Sequence, residues 1–90
     1  MEKAIITVIG KDKVGIIAKV TNTLADCSVN VLDITQTILQ DMFTMMMIVD
    51  ISGGDMDISA IRECLTKTGD ELGVEIRIQH EDIFNSMHRI

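Results

Sequence analysis

The residues best suited to chemistry lie between an apolar strand and a helical pattern, in the stretch Gly10-Lys11-Asp12-Lys13-Val14-Gly15-Ile16. A helix that begins here presents free backbone N–H groups, which bind a carboxylate or a phosphate. Asp12 can serve as the N-cap of that helix, or can offer its carboxylate to a ligand ammonium group. Asn30 adds an amide that both donates and accepts hydrogen bonds. These groups complement a free α-amino acid. A structural interpretation, in which Asp12 caps the helix and the glycine serves packing, accounts for the same residues.

The second glycine of this stretch, Gly15, falls in the predicted first turn of the helix, where glycine costs ~0.5–1 kcal/mol relative to alanine. Because it lacks a Cβ, a ligand or a second chain can approach the backbone there. Gly10 allows the chain to turn sharply before it. If the backbone at Gly15 is helical, we expect Gly15→Ala to stabilise the chain by ~0.4–1 kcal/mol and to weaken binding or assembly.

The sequence shows no grouping with the spacing of a catalytic site. The cations of this loop are Lys11 and Lys13, and the first arginine is Arg62, so the loop arginine of an acylphosphatase is missing. No Ser-His-Asp or Cys-His arrangement can be read from the spacing, and no candidate general base has an activating neighbour. We therefore predict a protein that is not an enzyme and that carries no cofactor.

The cysteines and histidines do not form a metal-binding pattern. Cys27 and Cys64 stand 37 positions apart, outside any Cys-x-x-Cys motif, and we expect both to be reduced, small hydrophobic side chains. His80 and His88 do not fit the spacing of a zinc site. The methionines at 45–47 alternate sides on a strand, so they fill a core or an interface rather than converge on an ion. We predict no metal site.

Composition restricts the class of protein further. The 90 residues suffice for one domain, and a net charge of −6 with two aromatic residues lacks the basic stripe of a nucleic-acid-binding protein. No apolar run approaches the ~18 residues of a membrane span. The chain opens into a strand pattern rather than a signal peptide. We therefore expect a soluble cytoplasmic protein that contacts neither nucleic acid nor membrane directly.

Hydrophobic periodicity predicts six elements in the order βαββαβ. Strands are predicted at 3–9, 28–40, 43–51 and 74–79, one helix at 13–26, and a second helix from Ile58 to Gly69 or Gly73. Two interlocked βαβ units of this kind form the ferredoxin-like arrangement of an α+β fold. We assign residues 1–81 to this domain.

The polarity of the strand faces predicts the order of the sheet. Strands one and three are apolar on both faces, whereas strands two and four are apolar on one, which gives a four-stranded antiparallel sheet of order 4-1-3-2. Right-handed crossovers place both helices on one face of it. The opposite face then exposes Met, Ile and Val side chains, and such a patch usually marks an interface. We expect a homodimer or a larger homo-oligomer.

Residues 82–90 are predicted to form a short C-terminal docking helix. Ile83, Phe84, Met87 and Ile90 recur at helical spacing. This segment can dock on its own domain or on a partner.

Two motifs in this chain resemble those of the ACT domain, a small-molecule-binding regulatory module with the βαββαβ fold. They are G-K-D-K-V-G-I-I-A-K-V at 10–20 and S-V-N-V-L-D-I at 28–34. The resemblance covers about residues 2–80, and it is closest to stand-alone ACT proteins and to the ACT modules of phosphoserine phosphatases and glycine-cleavage-type repressors. Such domains commonly pair and bind amino acids at the interface, through this loop and the asparagine of the helix-to-strand joint.

The resemblance therefore implies that Asp12, Gly15 and Asn30 bind a ligand. The other loop residues, Gly10, Lys11, Lys13, Val14 and Ile16, join them as candidates. Val14 stands where many members have proline, and Gly10 stands where amino-acid-binding members have a polar side chain.

Two functions agree with these patterns. The first is a homodimeric sensor that binds an amino acid and regulates a partner protein. The second is an adaptor that regulates a metabolic enzyme or a transcription factor without a ligand, through the apolar sheet face or the tail. The two are compatible, because a module without a catalytic or DNA-binding domain must signal through another protein.

Overall fold

The computed structural model describes residues 1–82, which form a four-stranded antiparallel sheet and two helices. The elements are β1 (Lys3–Lys11), α1 (Ile16–Asp26), β2 (Asn30–Leu39), β3 (Met42–Asp50), α2 (Ile58–Leu72) and β4 (Val74–His80). The strands lie in the order β2-β3-β1-β4, so the predicted βαββαβ topology and the order 4-1-3-2 are confirmed. The predicted docking helix has its apolar residues within 83–90, and these lie outside the described residues.

The core lies between one face of the sheet and both helices. The central strands supply fully buried side chains to it, and the helices cover them with matching apolar stripes. The main contributors are Ala4, Ile6, Val8, Met45 and Met47 from the sheet and Ile16, Val20, Leu24, Ile61 and Leu65 from the helices. Strand β2, at one edge, contributes no fully buried side chain. None of the helices described is long and apolar enough to cross a membrane.

The two helices run side by side in opposite directions. Lys19 on α1 forms an ion pair with Glu71 on α2 at 2.9 Å, and this cation lowers the pKa of the Glu71 carboxyl. One turn along, the hydroxyl oxygens of Thr23 and Thr68 are hydrogen-bonded at 2.6 Å. These two contacts fix the register between the helices.

Helix α2 ends at the later of its two predicted glycines. Gly73 has a left-handed backbone with φ 72° and caps the helix, as glycine commonly does. Gly69 lies inside the helix, where a Cβ would stand 2.7 Å from the Val74 carbonyl oxygen. Its missing side chain therefore lets α2 pack closely on β4.

The predicted start of α1 at Lys13, with Asp12 as its N-cap, is wrong. Strand β1 continues to Lys11, which pairs with Met42, and the Asp12 N–H donates to the Asp41 carbonyl oxygen at 2.7 Å. Asp12 is thus held against the β2–β3 hairpin. The N-cap is Gly15, with a left-handed φ of 93°, and α1 begins at Ile16.

Candidate ligand-binding site

The loop between β1 and α1 lines a surface cavity of about 450 Å³. Its walls come from the loop, the first turn of α1 and the neighbouring strands β2 and β3. The lining residues are Asp12, Lys13, Gly15, Ile16, Ile17, Ala18, Gln36, Ile38 and Phe43. The structure therefore brings four of the predicted site residues together around one cavity.

The N-terminus of α1 supplies hydrogen-bond donors to this cavity. The first bond of the helix runs from the Lys19 N–H to the Gly15 carbonyl oxygen at 3.0 Å. The amides of Ile16, Ile17 and Ala18 precede it and have no intrahelical acceptor. No side chain among the described residues caps this end of α1. The partial positive charge of the helix terminus thus faces a space that can receive an anion.

Asp12 places a carboxylate at the edge of the same cavity. Its side chain is exposed, and within residues 1–82 no hydrogen bond to its carboxylate oxygens is found. Val14 is fully exposed, and Lys11 lines a separate cavity of about 360 Å³ beside the β2–β3 hairpin. Asp12 is consequently the loop side chain best placed to accept a hydrogen bond from a ligand ammonium group.

Two of the predicted site residues have structural roles. The Lys13 Nζ donates to the Leu72 carbonyl oxygen at 3.0 Å and so binds the C-terminal end of α2, where a cation is favourable. Gly10 lies within β1 rather than in a sharp turn, so that expectation is wrong. A Cβ at Gly10 would stand 2.6 Å from the Val74 Cγ1, which means that the missing side chain makes room for β4.

Gly15 is required by its backbone conformation. At φ 93° an L-residue is strained, and apart from the adjoining backbone no atom of the described residues lies within 4 Å of the position that its Cβ would take. The expected stabilisation by Gly15→Ala required a helical backbone at this residue, and that condition is not met. The open space beside Gly15 leaves the first turn of α1 accessible.

Asn30 lies at the opposite end of the sheet from the loop. It pairs with Asp50, which pairs with Lys3, whereas the loop follows Lys11 at the far end of β1. At a strand rise of about 3.3 Å per residue, the two ends of β1 are roughly 26 Å apart. The structure of a single chain does not bring Asn30 into the cavity.

The neighbour of Asn30 in the sheet, Asp50, is held by three donors. The Ser52 hydroxyl donates to its carboxylate at 2.6 Å, the Ser52 amide at 3.0 Å and the Glu2 amide at 3.3 Å. These hydrogen bonds, the Ser52 hydroxyl first, lower the pKa of the Asp50 carboxyl. This network fixes the end of β3 beside Asn30.

Sequence reasoning missed several residues that line the cavity, notably Gln36 on β2. Gln36 lies on the same face of β2 as Ile34 and Ile38, opposite the buried Met45. A polar residue between two apolar ones on the core-facing side is a signal in the sequence that could have identified it. Within the described part of the chain, no group of three or more His, Cys, Asp or Glu side chains could hold a metal ion.

A larger groove of about 690 Å³ lies away from this loop, along the outer side of α2. Its lining residues are Met56, Ser59, Ala60, Arg62, Glu63, Cys64, Thr66, Lys67 and Asp70. None of them was predicted as a site residue.

Comparisons with known proteins identify close relatives of this chain. A family model described as an ACT domain matches residues 2–79. A UPF0237 protein from Methanococcus maripaludis is 54% identical over 90 residues, which is 100% of both chains. The solved structure of an ACT domain protein from Streptococcus pneumoniae is 44% identical with a TM-score of 0.81, covering 92% of this chain and 93% of that one. The regulatory subunit of aspartate kinase from Thermus thermophilus is 28% identical with a TM-score of 0.69, covering 87% of this chain and 50% of that one.

Proposed function

The chain belongs to the ACT domain family, and on that premise we propose that it binds a free α-amino acid between two copies of itself. The ACT domain is a regulatory module. In this proposal the chain performs no catalysis, and the bound amino acid alters how the dimer engages a partner protein.

The observation that carries this proposal is the position of Asn30 relative to the loop. The two lie at opposite ends of the sheet, so one chain cannot supply both to one ligand. A two-fold axis that pairs β2 with β2 of a second copy runs the two strands antiparallel. Asn30 of the partner subunit then lies beside the hairpin end of β2, next to Asp12. Two equivalent sites result, each built from both chains.

The exposed edge of β2 supports this mode of pairing. Among residues 1–82, strand β2 is hydrogen-bonded to β3 on one side, and its other edge carries unpaired backbone groups. Ile34 and Ile38, on the core-facing side of β2, are 43% and 48% exposed, and Ile17 on α1 is 37% exposed. An apolar strip beside an unpaired strand edge is suited to a second copy of the same surface.

The cavity matches the groups of an amino acid. Its carboxylate is received by the free amides at the N-terminus of α1, and its ammonium group by the Asp12 carboxylate and the amide oxygen of Asn30 of the partner subunit. The ligand side chain faces Ile17, Ile38 and Phe43, which favours a small or apolar one.

A second candidate is the adaptor, which rests on the sheet face opposite the helices. On that face Ile9 is 46% exposed and Met46 is 41% exposed. These side chains offer an apolar surface to a partner enzyme or transcription factor without any ligand.

A thermal-shift screen against the twenty amino acids separates the two candidates. An amino acid present at 100 times its Kd adds ~2.7 kcal/mol to the free energy of unfolding. Asp12→Asn should remove this gain and leave the unliganded melting temperature unchanged, because Gly15 rather than Asp12 is the N-cap of α1. Asp55→Asn, in the exposed loop before α2, is the matched control and should respond like the wild type.

Two results would contradict the sensor. One is an amino acid that stabilises Asp12→Asn as much as the wild type, which would place the ligand elsewhere. The other is a screen in which no amino acid raises the melting temperature, which would favour the adaptor.

A further inference from the structure

The register between α1 and α2 brings two distant cysteines together. Thr23 and Thr68 are hydrogen-bonded across the helices at 2.6 Å. Cys27 lies one turn after Thr23, at the C-cap of α1, and Cys64 lies one turn before Thr68 on the antiparallel α2. The thiols of Cys27 and Cys64 accordingly occupy the next facing position after the two threonines.

The two thiols are neighbours but differ in their access to solvent. Both are free, and Cys64 packs against the core cluster that contains Cys27. Cys27 is 6% exposed within the core, whereas Cys64 is partly exposed and lines the 690 Å³ groove along α2. Burial first, and then the neighbouring Cys64 side chain, raises the pKa of Cys27 to about 11. Cys64 is thus the thiol that a reagent meets first, with Cys27 directly behind it.

We propose that Cys27 and Cys64 form a peroxide-sensitive dithiol, which closes to an intramolecular disulfide between the end of α1 and the middle of α2. The γ oxygens of the preceding pair, Thr23 and Thr68, are already 2.6 Å apart, and a disulfide needs about 2.05 Å between γ sulfurs. We therefore expect the next facing pair to close without a change in the helix register.

The oxidant is a hydroperoxide, and the reaction proceeds in two steps. The Cys64 thiolate attacks a peroxide oxygen, the O–O bond breaks, and Cys64 becomes a sulfenic acid while hydroxide leaves. The Cys27 sulfur then attacks the Cys64 sulfur, the S–O bond breaks, and the departing hydroxide takes the thiol proton as water. In total the two thiols lose two electrons and two protons, and hydrogen peroxide is reduced to two molecules of water.

The position of Cys27 connects this reaction to the start of β2. Cys27 is followed by Ser28, which has a left-handed φ of 58°, and then by Val29 and the first residue of β2, Asn30. A Cys27–Cys64 disulfide therefore links α2 to the short segment that leads into Asn30. The oxidation itself does not depend on the proposed amino-acid site.

The test uses the purified, reduced full chain with hydrogen peroxide as the probe. The expected product is a single chain whose mass is lower by two hydrogen atoms, with a Cys27–Cys64 cross-linked peptide after digestion, and dithiothreitol should reverse it. At ~10 μM chain, the intramolecular bond should form more than ~100 times faster than intermolecular ones, because flexible linkage alone gives effective concentrations on the order of millimolar and the helix register adds to it. In urea, where the helix register is lost, this advantage should fall.

Single-cysteine variants test the order of the steps. Cys27→Ser should accumulate a sulfenic acid at Cys64 that dimedone traps, and Cys64→Ser should leave a Cys27 thiol that peroxide modifies more slowly than Cys64. If the wild type yields mainly disulfide-linked dimers, or sulfinic acid without a disulfide, the proposal is wrong. A sulfenic acid that forms on Cys27 in preference to Cys64 would overturn the assigned roles.

Discussion

A single backbone conformation, the left-handed turn at Gly15, determines how the loop responds to substitution. Its φ is 93°, and an L-residue in the left-handed region costs roughly 1–2 kcal/mol. We predict that Gly15→Ala lowers the free energy of unfolding by about 1 kcal/mol, and that Gly15→Asn costs less, because asparagine tolerates this conformation. Urea denaturation followed by circular dichroism measures both changes.

Gly53→Ala is the control for Gly15→Ala. The φ of Gly53 is not in the left-handed region, and within residues 1–82 a Cβ at this position would touch just the Ser28 carbonyl oxygen, at 3.4 Å. Its free energy of unfolding should stay within ~0.5 kcal/mol of the wild type. A Gly15→Ala variant that is as stable as the wild type would show that residue 15 is not held in the left-handed conformation.

The two aspartates that precede helices show what the sequence can indicate at this scale. Asp57 caps α2, since its carboxylate accepts from the Ala60 N–H at 2.9 Å. Asp12 stands in a similar place in the sequence but does not cap α1. The difference arises because its amide bonds Asp41, which is distant in the chain. Local patterns identify a residue able to cap, but a long-range contact decides whether it does so.

At the scale of elements, the contact between β1 and β4 depends on the missing side chain of Gly10. A Cβ there would stand 2.6 Å from the Val74 Cγ1 and 2.8 Å from its Cβ. We predict that Gly10→Ala costs about 1–3 kcal/mol, as overpacking does. The measurement is the free energy of unfolding in urea.

A double-mutant cycle with Val74→Ala assigns that cost to its source. Removing the Val74 methyl groups takes away the 2.6 Å contact and leaves the Val74 Cβ at 2.8 Å, so the double variant should recover part of the cost and be more stable than the sum of the two single effects. Additive effects would mean that the strain at Gly10 does not come from the Val74 methyl groups.

The strand order was predictable because the polarity of a strand's two faces indicates whether the strand is central or at an edge of the sheet. Strands β1 and β3 are apolar on both faces since each lies between two neighbours, and this pattern needs no knowledge of distant contacts. The proximity of Cys27 to Cys64 was not predictable in this way. It follows from the register between α1 and α2, which the Thr23–Thr68 contact sets only after the fold has formed.

At the scale of the whole molecule, two exposed apolar surfaces of the described chain predict different dimers. One is the edge of β2 with Ile34, and the other is the open sheet face with Ile9. We predict a dimer through the β2 edge that buries at least ~1,000 Å². Ile34→Lys should therefore dissociate it in sedimentation at micromolar concentration, whereas Ile9→Lys should leave it intact. Dissociation by Ile9→Lys alone would instead indicate pairing through the sheet faces.

A ligand site that combines residues from two chains has a consequence that no single-chain site shares. In the proposed dimer each site contains Asp12 of one chain and Asn30 of the other, so Asp12→Asn and Asn30→Ala should each abolish amino-acid binding. In a heterodimer of the two variants, one site carries both substitutions and the other carries neither, because a two-fold interface exchanges the roles of the chains. Mixing the inactive variants and allowing subunits to exchange should thus restore about a quarter of the sites, as random pairing gives heterodimers half of the time. Isothermal titration of the mixture measures this stoichiometry, and a mixture that stays inactive while exchange is complete would contradict a site built from Asp12 of one chain and Asn30 of the other.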